Sequence, residues 1–126
     1  DGSSGKVTIE RVGLSGKVYE GATDSWMSKG AGHYTSSSLY YGNVGLFGHN
    51  RGSHPYFGQL KNVKLGDIVK YKTSLGTKTY KVTFVGAISY TDYSCLNEMG
   101  DNRITLITCI ANQPSLRLCV QAVEIR

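Results

Sequence analysis

Ile104-Thr105-Leu106-Ile107-Thr108-Cys109, then Ala111-Asn112-Gln113-Pro114-Ser115, then Leu116-Arg117-Leu118-Cys119-Val120-Gln121-Ala122-Val123-Glu124-Ile125 run almost without a break near the end of this 126-residue chain. The first segment is apolar and β-branched, the second is turn chemistry, and the third alternates. Together they predict a β-hairpin. With Asn112, Gln113 and Pro114 at the tip, Cys109 falls opposite Arg117 and Leu106 opposite Val120. Side chains alternate between the faces of a strand. Leu106, Leu118, Val120 and Ala122 therefore form an inner row, while Ile107, Cys109, Arg117 and Cys119 point the other way. The hairpin sets a thiol and a guanidinium side by side on an outer, accessible face.

Upstream, the chain continues as short periodic segments punctuated by Gly and Ser. Val7-Thr8-Ile9 and Gly16-Lys17-Val18-Tyr19 read as strands, and residues 43–49 and 67–73 each contain one. The longest alternating run spans residues 78–90, with Tyr80, Val82, Phe84 and Gly86 in one parity. Residues 23–28 are compatible with one short helix capped by Thr23 or Asp24. Residues 91–103 are irregular. Seven or eight strands with almost no helix, at this length, predict an all-β closed barrel or a sandwich.

The length suits one domain, and folding at this size buries roughly two-thirds of the unfolded surface without a disulfide framework. Three cysteines leave at least one thiol without a partner inside the chain. No run is apolar enough to span a bilayer, and no signal peptide is present. Asp1-Gly2-Ser3-Ser4-Gly5 reads as a linker or cloning remnant, leaving 6–126 as the domain, and any membrane anchor would lie before residue 1. The net charge of +5 comes from 14 basic and 9 acidic residues. Lys70, Lys72, Lys78 and Lys81 sit at strand spacing and read as solvated outer faces that discourage edge pairing. No RNP motif, zinc-finger spacing or Arg-rich stripe accompanies them, so no nucleic-acid partner is expected.

The chemistry centres on Cys109, Arg117 and an upstream His49 in Leu46-Phe47-Gly48-His49-Asn50. A thiolate is a strong nucleophile, but a free Cys titrates near ~8.5 and needs help at neutral pH. An imidazole can pair with it and later protonate a leaving amine. A planar, permanently charged Arg can hydrogen-bond the oxyanion of a tetrahedral intermediate or clamp a substrate carbonyl. Together these parts suit acyl transfer on an amide or ester. Singly, each has an ordinary structural reading. Two further histidines, His33 in a Gly-rich turn and His54 before Pro55, read as a structural and a solvated residue. No paired Cys/His spacing supports a zinc site, so neither a metal nor another cofactor is expected.

The ordered motifs resemble the sortases, the cysteine transpeptidases of Gram-positive cell surfaces. Val7-Thr8-Ile9 followed by Gly16-Lys17-Val18-Tyr19-Glu20-Gly21 resembles that family's opening strands, and Gly30-Ala31-Gly32-His33-Tyr34 its Gly-His-Tyr turn. Gly42-Asn43-Val44-Gly45-Leu46-Phe47-Gly48-His49 resembles its catalytic-His strand. Phe57-Gly58-Gln59-Leu60 and Val63-Lys64-Leu65-Gly66-Asp67-Ile68-Val69 follow in family order. Thr105-Leu106-Ile107-Thr108-Cys109 matches the nucleophile motif and Leu116-Arg117-Leu118-Cys119-Val120 the Arg strand.

The resemblance implies a closed eight-stranded sortase-type β-barrel with at most one or two short helices. It assigns His49 as general acid/base, Cys109 as nucleophile and Arg117 as oxyanion or substrate stabiliser. It further implies cleavage of a Leu-Pro-x-Thr-Gly-like sorting signal between Thr and Gly through a thioacyl-enzyme. The acceptor would be an amine of a peptidoglycan precursor or a pilin, and the location the outer face of the cell membrane. Residues 91–103 would form one groove wall, with Tyr90, Tyr93 and Leu96 as candidates. On the hairpin, Ile107 would line the groove beside Cys109, and Thr108, of opposite parity, would support the site through its hydroxyl.

Residues 50–66 contain no Asp or Glu, so calcium activation of the kind known in class A sortases is not expected. The connection from Cys109 to Arg117 is short, and neither the inserted helix of class B nor the lid of class C is visible. The nearest subclass by elimination is class D or a related minor class. Cys119 has two readings, an apolar filler or a redox partner of Cys109 or Cys95. Two alternatives to an enzyme remain at this point. A non-catalytic β-barrel binding module would use Cys109 structurally. An oligonucleotide-binding barrel would use its Tyr residues as stacking platforms.

Overall fold

A computed structural model of the chain describes residues 3–21, 30–49, 56–110 and 112–125. The C-terminal hairpin is present as β7 (Arg103–Cys109) and β8 (Leu116–Glu124). Its register is the expected one, with Leu106 opposite Val120, Ile107 opposite Cys119 and Cys109 opposite Arg117. Six more strands complete the sheet: β1 (Ser3–Ile9), β2 (Leu14–Glu20), β3 (Ala31–His33), β4 (Asn43–Phe47), β5 (Ile68–Thr73) and β6 (Gly76–Ser89). They close into one barrel in the order β1-β2-β3-β4-β7-β8-β6-β5. The β2–β3 and β4–β7 pairs are parallel and the others antiparallel. Among the described residues, helix is limited to the 3₁₀ turns Glu10–Val12, Leu60–Asn62 and Ser94–Leu96.

The barrel forms because alternate residues of nearly every strand are apolar and meet in its interior. Val7, Ile9, Val18, Val44, Leu46, Val69, Ile104 and Val120 have no exposed surface. Burying each such side chain contributes about 1.5–3 kcal/mol relative to leaving it in water. Phe57, Leu60 and Val63, between β4 and β5, pack into the same core.

Four details depart from the sequence reading. Residues 31–33, expected as a turn, form β3, which is short but fills the gap between β2 and β4. The expected linker contributes to the sheet, since Ser3 pairs with Tyr19 and Gly5 with both Val18 and Thr73. The single parity of 80–86 is broken by a bulge between Val82 and Phe84. Val82 faces Ala122 in the core, but beyond the bulge Val85 opposes Val120 inside and Phe84 is turned outward, 42% exposed. One extra residue flips every side chain after it to the other face. Finally, Lys70, Lys72 and Lys81 are exposed as expected, but Lys78 is buried. Its ammonium bonds Glu124 at 3.0 Å and lies 4.8 Å and 4.7 Å from the Tyr40 and Tyr41 ring centres, which compensate its desolvation. The short helix expected over 23–28 lies outside the described residues, as do Asn50 and His54.

Candidate active site

The outer face of β4, β7 and β8 carries the site, and strand register assembles it. β4 and β7 run parallel with Phe47 beside Ile107. Just past that pair, the Gly48 N–H donates to the Ile107 carbonyl at 3.2 Å, and the Thr108 hydroxyl donates to the Gly48 carbonyl at 2.6 Å. Continued two residues past Phe47 and Ile107, the same register would bring His49 level with Cys109. On the other side of Cys109, the antiparallel ladder sets Arg117. Cys109 and Arg117 are direct partners, and His49 follows β4, the strand that flanks β7 on its other side. Cys109 is exposed, whereas His49 and Arg117 are half-buried.

The neighbouring rows of this outer face are covered by the connection between β6 and β7. Leu96, in the 3₁₀ turn Ser94–Leu96, packs on Ile107 and Cys119, with Phe47, Ile88 and Cys95 around them. Three buried polar side chains tie the turn down. Asn43 Nδ2 donates to the Cys95 and Asn97 carbonyls at 2.8 and 2.9 Å, and Gln121 Nε2 donates to the Cys95 carbonyl at 2.8 Å. The Thr105 hydroxyl donates to Asn43 Oδ1 at 2.8 Å and accepts from Gln121 at 3.0 Å. Glu98 adds two contacts, accepting from the Asn43 N–H at 2.9 Å and from the Ser38 hydroxyl at 2.6 Å. Buried polar groups arranged this way satisfy one another, so the cover is rigid rather than loosely laid.

Two glycines are required by close approaches. A Cβ on Gly45 would stand 2.6 Å from Leu96 Cδ2, and one on Gly48 would stand 2.7 Å from the Phe57 ring. Gly48 thus lets Phe57 close under the strand end, where the Phe57 N–H donates to the His49 carbonyl at 2.9 Å. The His49 backbone is fixed both through Gly48, from β7, and by Phe57.

Arg117 Nη1 donates to the Pro114 and Leu116 carbonyls at 3.0 and 2.8 Å, which holds the guanidinium at the hairpin mouth. Its centre lies 5.8 Å from that of the Tyr90 ring, and the Tyr90 N–H donates to the Ser115 carbonyl at 3.0 Å. Nε and Nη2 carry the remaining donors of the fork.

Of the residues expected to line a substrate groove, Tyr90 is the most exposed, at 50%, followed by Tyr93. Ile107, Thr108 and Leu96 are 1%, 4% and 9% exposed, so their side chains are buried rather than presented at the surface. Ile107 was expected on an accessible face and is covered because Leu96 sits on it. Tyr93 is 37% exposed and packs edge-on against Phe47, as does Tyr34. Asn43, Thr105 and Gln121 were not anticipated. Thr105 and Gln121 are direct partners on the outer face of the β7–β8 hairpin. A buried polar pair in that row was the available signal.

His33 is fully buried, away from this row. Its Nδ1 lies 2.7 Å from Glu20 Oε1, and its Nε2 donates to the Ser38 carbonyl at 2.7 Å, with Ser37 Oγ at 3.1 Å. Both ring nitrogens are engaged in holding the β2, β3 and 34–38 segments together. Among the described residues, no three His, Cys, Asp or Glu side chains converge as a metal-ligand group, and no helix is long and apolar enough to cross a membrane.

An exposed thiol opposite a guanidinium, with an imidazole two residues past the end of the neighbouring strand of a closed β-barrel, offers the groups that acyl transfer through a covalent cysteine intermediate uses. The sortase-domain family model matches residues 7–125, and the chain belongs to the sortase family. It is 31% identical over 112 residues to sortase A of Staphylococcus aureus and 33% identical over 112 residues to sortase A of Listeria monocytogenes. These matches cover 84% and 86% of this chain but 54% and 50% of those proteins, so the chain spans about half the length of the curated relatives it matches. Among solved structures, sortase C2 of Group B Streptococcus pilus island 1 superposes with a TM-score of 0.92 at 29% identity, covering 99% of this chain and 75% of that one. Sortase A of Listeria monocytogenes superposes with a TM-score of 0.89 at 28% identity, covering 100% and 89%.

Proposed function

We propose that this domain is a cysteine transpeptidase that cuts a Leu-Pro-x-Thr-Gly-like sorting signal between Thr and Gly and joins the Thr carbonyl to a new amine. The observation that carries this reading is exposed Cys109 paired with Arg117 across β7 and β8, with His49 just past the end of β4 on the other side of β7.

Cys109, as the thiolate, attacks the Thr carbonyl carbon. The carbonyl π electrons move to oxygen, and Arg117 donates hydrogen bonds to that oxyanion. Preorganised donors of this kind are worth about 10²–10³ in rate. As the intermediate collapses, the C–N bond breaks and His49, protonated, gives its proton to the departing Gly amine. A thioester on Cys109 remains. An amine from a peptidoglycan precursor or a pilin Lys then attacks the thioester carbonyl and loses its proton to His49. The new amide leaves and Cys109 returns as thiolate. Tyr90, exposed beside Arg117, lines the groove in this reading, over a floor of Ile107, Leu96 and the Thr108-anchored strand end.

Family membership supports the transpeptidase reading. The short connection from Cys109 to Arg117 and the acid-free stretch 50–66 support class D or a related minor class, although the relatives named above are sortases A and C. The proposed setting is the outer face of the cell membrane, reached through a segment outside this sequence, with surface proteins or pilins as partners.

The test is mass spectrometry of the domain incubated with a Leu-Pro-x-Thr-Gly peptide library, beside a Cys109→Ala variant. A thioester adduct on Cys109, absent from the variant and accompanied by Gly-terminated products, supports the reading and gives the preferred x. A folded protein with reduced Cys109 that forms no adduct and cuts nothing points instead to a β-barrel binding module.

A further inference from the structure

Cys95 and Cys119 stand apart from the row that carries the proposed acyl transfer. Cys119 is fully buried on the outer face of β8, and half-buried Cys95 packs in the same cluster from the turn Ser94–Leu96. Both side chains pack in the one small cluster built on Leu96 and Ile107, so the two sulfurs lie on the same patch of the outer face. Cys95 is also fixed in place through its backbone. Its carbonyl accepts from Asn43 and Gln121, each at 2.8 Å, with Thr105 Oγ1 at 3.4 Å. Gln121 lies two residues along β8 from Cys119, so one strand supplies both the partner of the carbonyl and the partner of the thiol.

The two sulfurs are chemically unequal. The hydrogen bond from Cys119 holds the Cys95 thiol below its ordinary range. The same bond and burial push Cys119 well above it. Cys95 is thus the reachable member of the pair and Cys119 the buried one behind it. Thiolate character and access together decide which cysteine an oxidant meets first. An apolar filler alone needs neither a second thiol nor three buried side chains fixing that thiol's backbone.

We propose that Cys95 and Cys119 form an oxidisable pair that closes a disulfide when the protein meets a hydroperoxide, stapling the segment 90–102 to β8 beside Arg117. The Cys95 thiolate attacks the peroxide O–O bond, forming an S–O bond and releasing hydroxide or alkoxide. The resulting sulfenic acid is attacked by the Cys119 sulfur. An S–S bond forms, the S–O bond breaks, and the Cys119 proton leaves with the oxygen as water. Two sulfurs together give two electrons to the peroxide, and a thiol reductant reverses the step.

The test uses the full chain with Cys109→Ala, so that the only thiols are the pair, and it reads mass rather than peptide turnover. Its outcome is therefore independent of the transpeptidase reading. The reduced protein is treated with stoichiometric hydrogen peroxide, alkylated and digested with trypsin. The expected product is two hydrogens lighter, has no alkylatable thiol, and yields the peptide 82–103 linked to 118–126 until dithiothreitol is added. In the Cys109→Ala/Cys119→Ser double variant, Cys95 is expected to accumulate as a sulfenic acid trapped by dimedone. Either of two results overturns the proposal: both thiols remain alkylatable after treatment, or Cys95 advances to sulfinic acid while Cys119 stays free.

Discussion

The Thr108 hydroxyl donates to the Gly48 carbonyl at 2.6 Å, one residue before Cys109 on β7 and one residue before His49 after β4. It is a buried bond between β7 and the segment that follows β4, and it helps fix the spacing of the backbone that carries the two proposed reactive side chains. Thr108→Val keeps the shape and removes the donor, stranding the Gly48 carbonyl. The expected loss is about 1–3 kcal/mol of stability by urea denaturation. If the bond also sets the site, acylation of Cys109 slows under conditions where the variant is fully folded. Unchanged acylation would show that the strand pairing alone sets the distance.

Arg117→Lys tests the guanidinium fork. Lysine keeps the charge but has no planar pair of donors, and it cannot reproduce the Nη1 bonds to the Pro114 and Leu116 carbonyls together with a second donor toward substrate. Turnover of a sorting-signal peptide is expected to fall at least ten-fold, about 1.4 kcal/mol or more in the barrier. Wild-type turnover by the lysine variant would remove Arg117 from the chemistry.

Gly45 and Leu96 offer a test of the covering segment. A methyl group on Gly45 would meet Leu96 Cδ2 at 2.6 Å and Ser37 Oγ at 3.2 Å. Gly45→Ala is expected to lift the turn Ser94–Leu96, at about 1–3 kcal/mol for overpacking. Peptide KM is expected to rise more than kcat falls, because the proposed wall moves while the reactive row stays on its strands. Leu96→Ala in the same chain gives the new methyl room, so the two changes together should cost less than their sum. Strict additivity in a double-mutant cycle would mean the methyl is accommodated elsewhere.

The β7–β8 register could be read from sequence because turn chemistry and strict alternation fix it together. Once it is fixed, Cys109 and Arg117 can lie nowhere but side by side. What covers that face was not legible. Residues 91–103 carry no period, and their position depends on Asn43, Thr105 and Gln121, three polar side chains from three different strands that reach the Cys95 carbonyl only in the folded barrel. The bulge between Val82 and Phe84 escaped for a related reason. Apolar residues continue in the old parity past it, and only pairing with β8 reveals that Val85 has taken the inner place. β3 is too short for any period to show.

Arg11 and Asp67 give a prediction in the acid range. Arg11 Nε and Nη2 grip the two Asp67 carboxylate oxygens at 2.6 and 2.8 Å, and Nη2 also reaches the Asn62 carbonyl at 2.7 Å. The Lys64 N–H donates to the same carboxylate at 2.8 Å. The hydrogen bond from Arg11 is the largest reason that Asp67 is held below the usual carboxylate range, and the Lys64 N–H adds to it. Since the folded state lowers this pKa, the carboxylate form favours folding. The contribution is fully present above the unfolded value, near ~4, and is lost as pH falls through the lower folded value. Arg11→Gln removes the largest cause, so Asp67 should titrate nearer its unfolded value and contribute less to stability at neutral pH. The acid-unfolding midpoint, followed by far-UV circular dichroism of the β-barrel, is then expected at a higher pH in the variant than in the wild type. Asp67→Asn should lose the same neutral-pH contribution and show no further loss when Arg11 is also changed, because the pair acts as one unit. An acid midpoint unmoved by Arg11→Gln would mean that the Lys64 N–H alone is enough to keep Asp67 ionised.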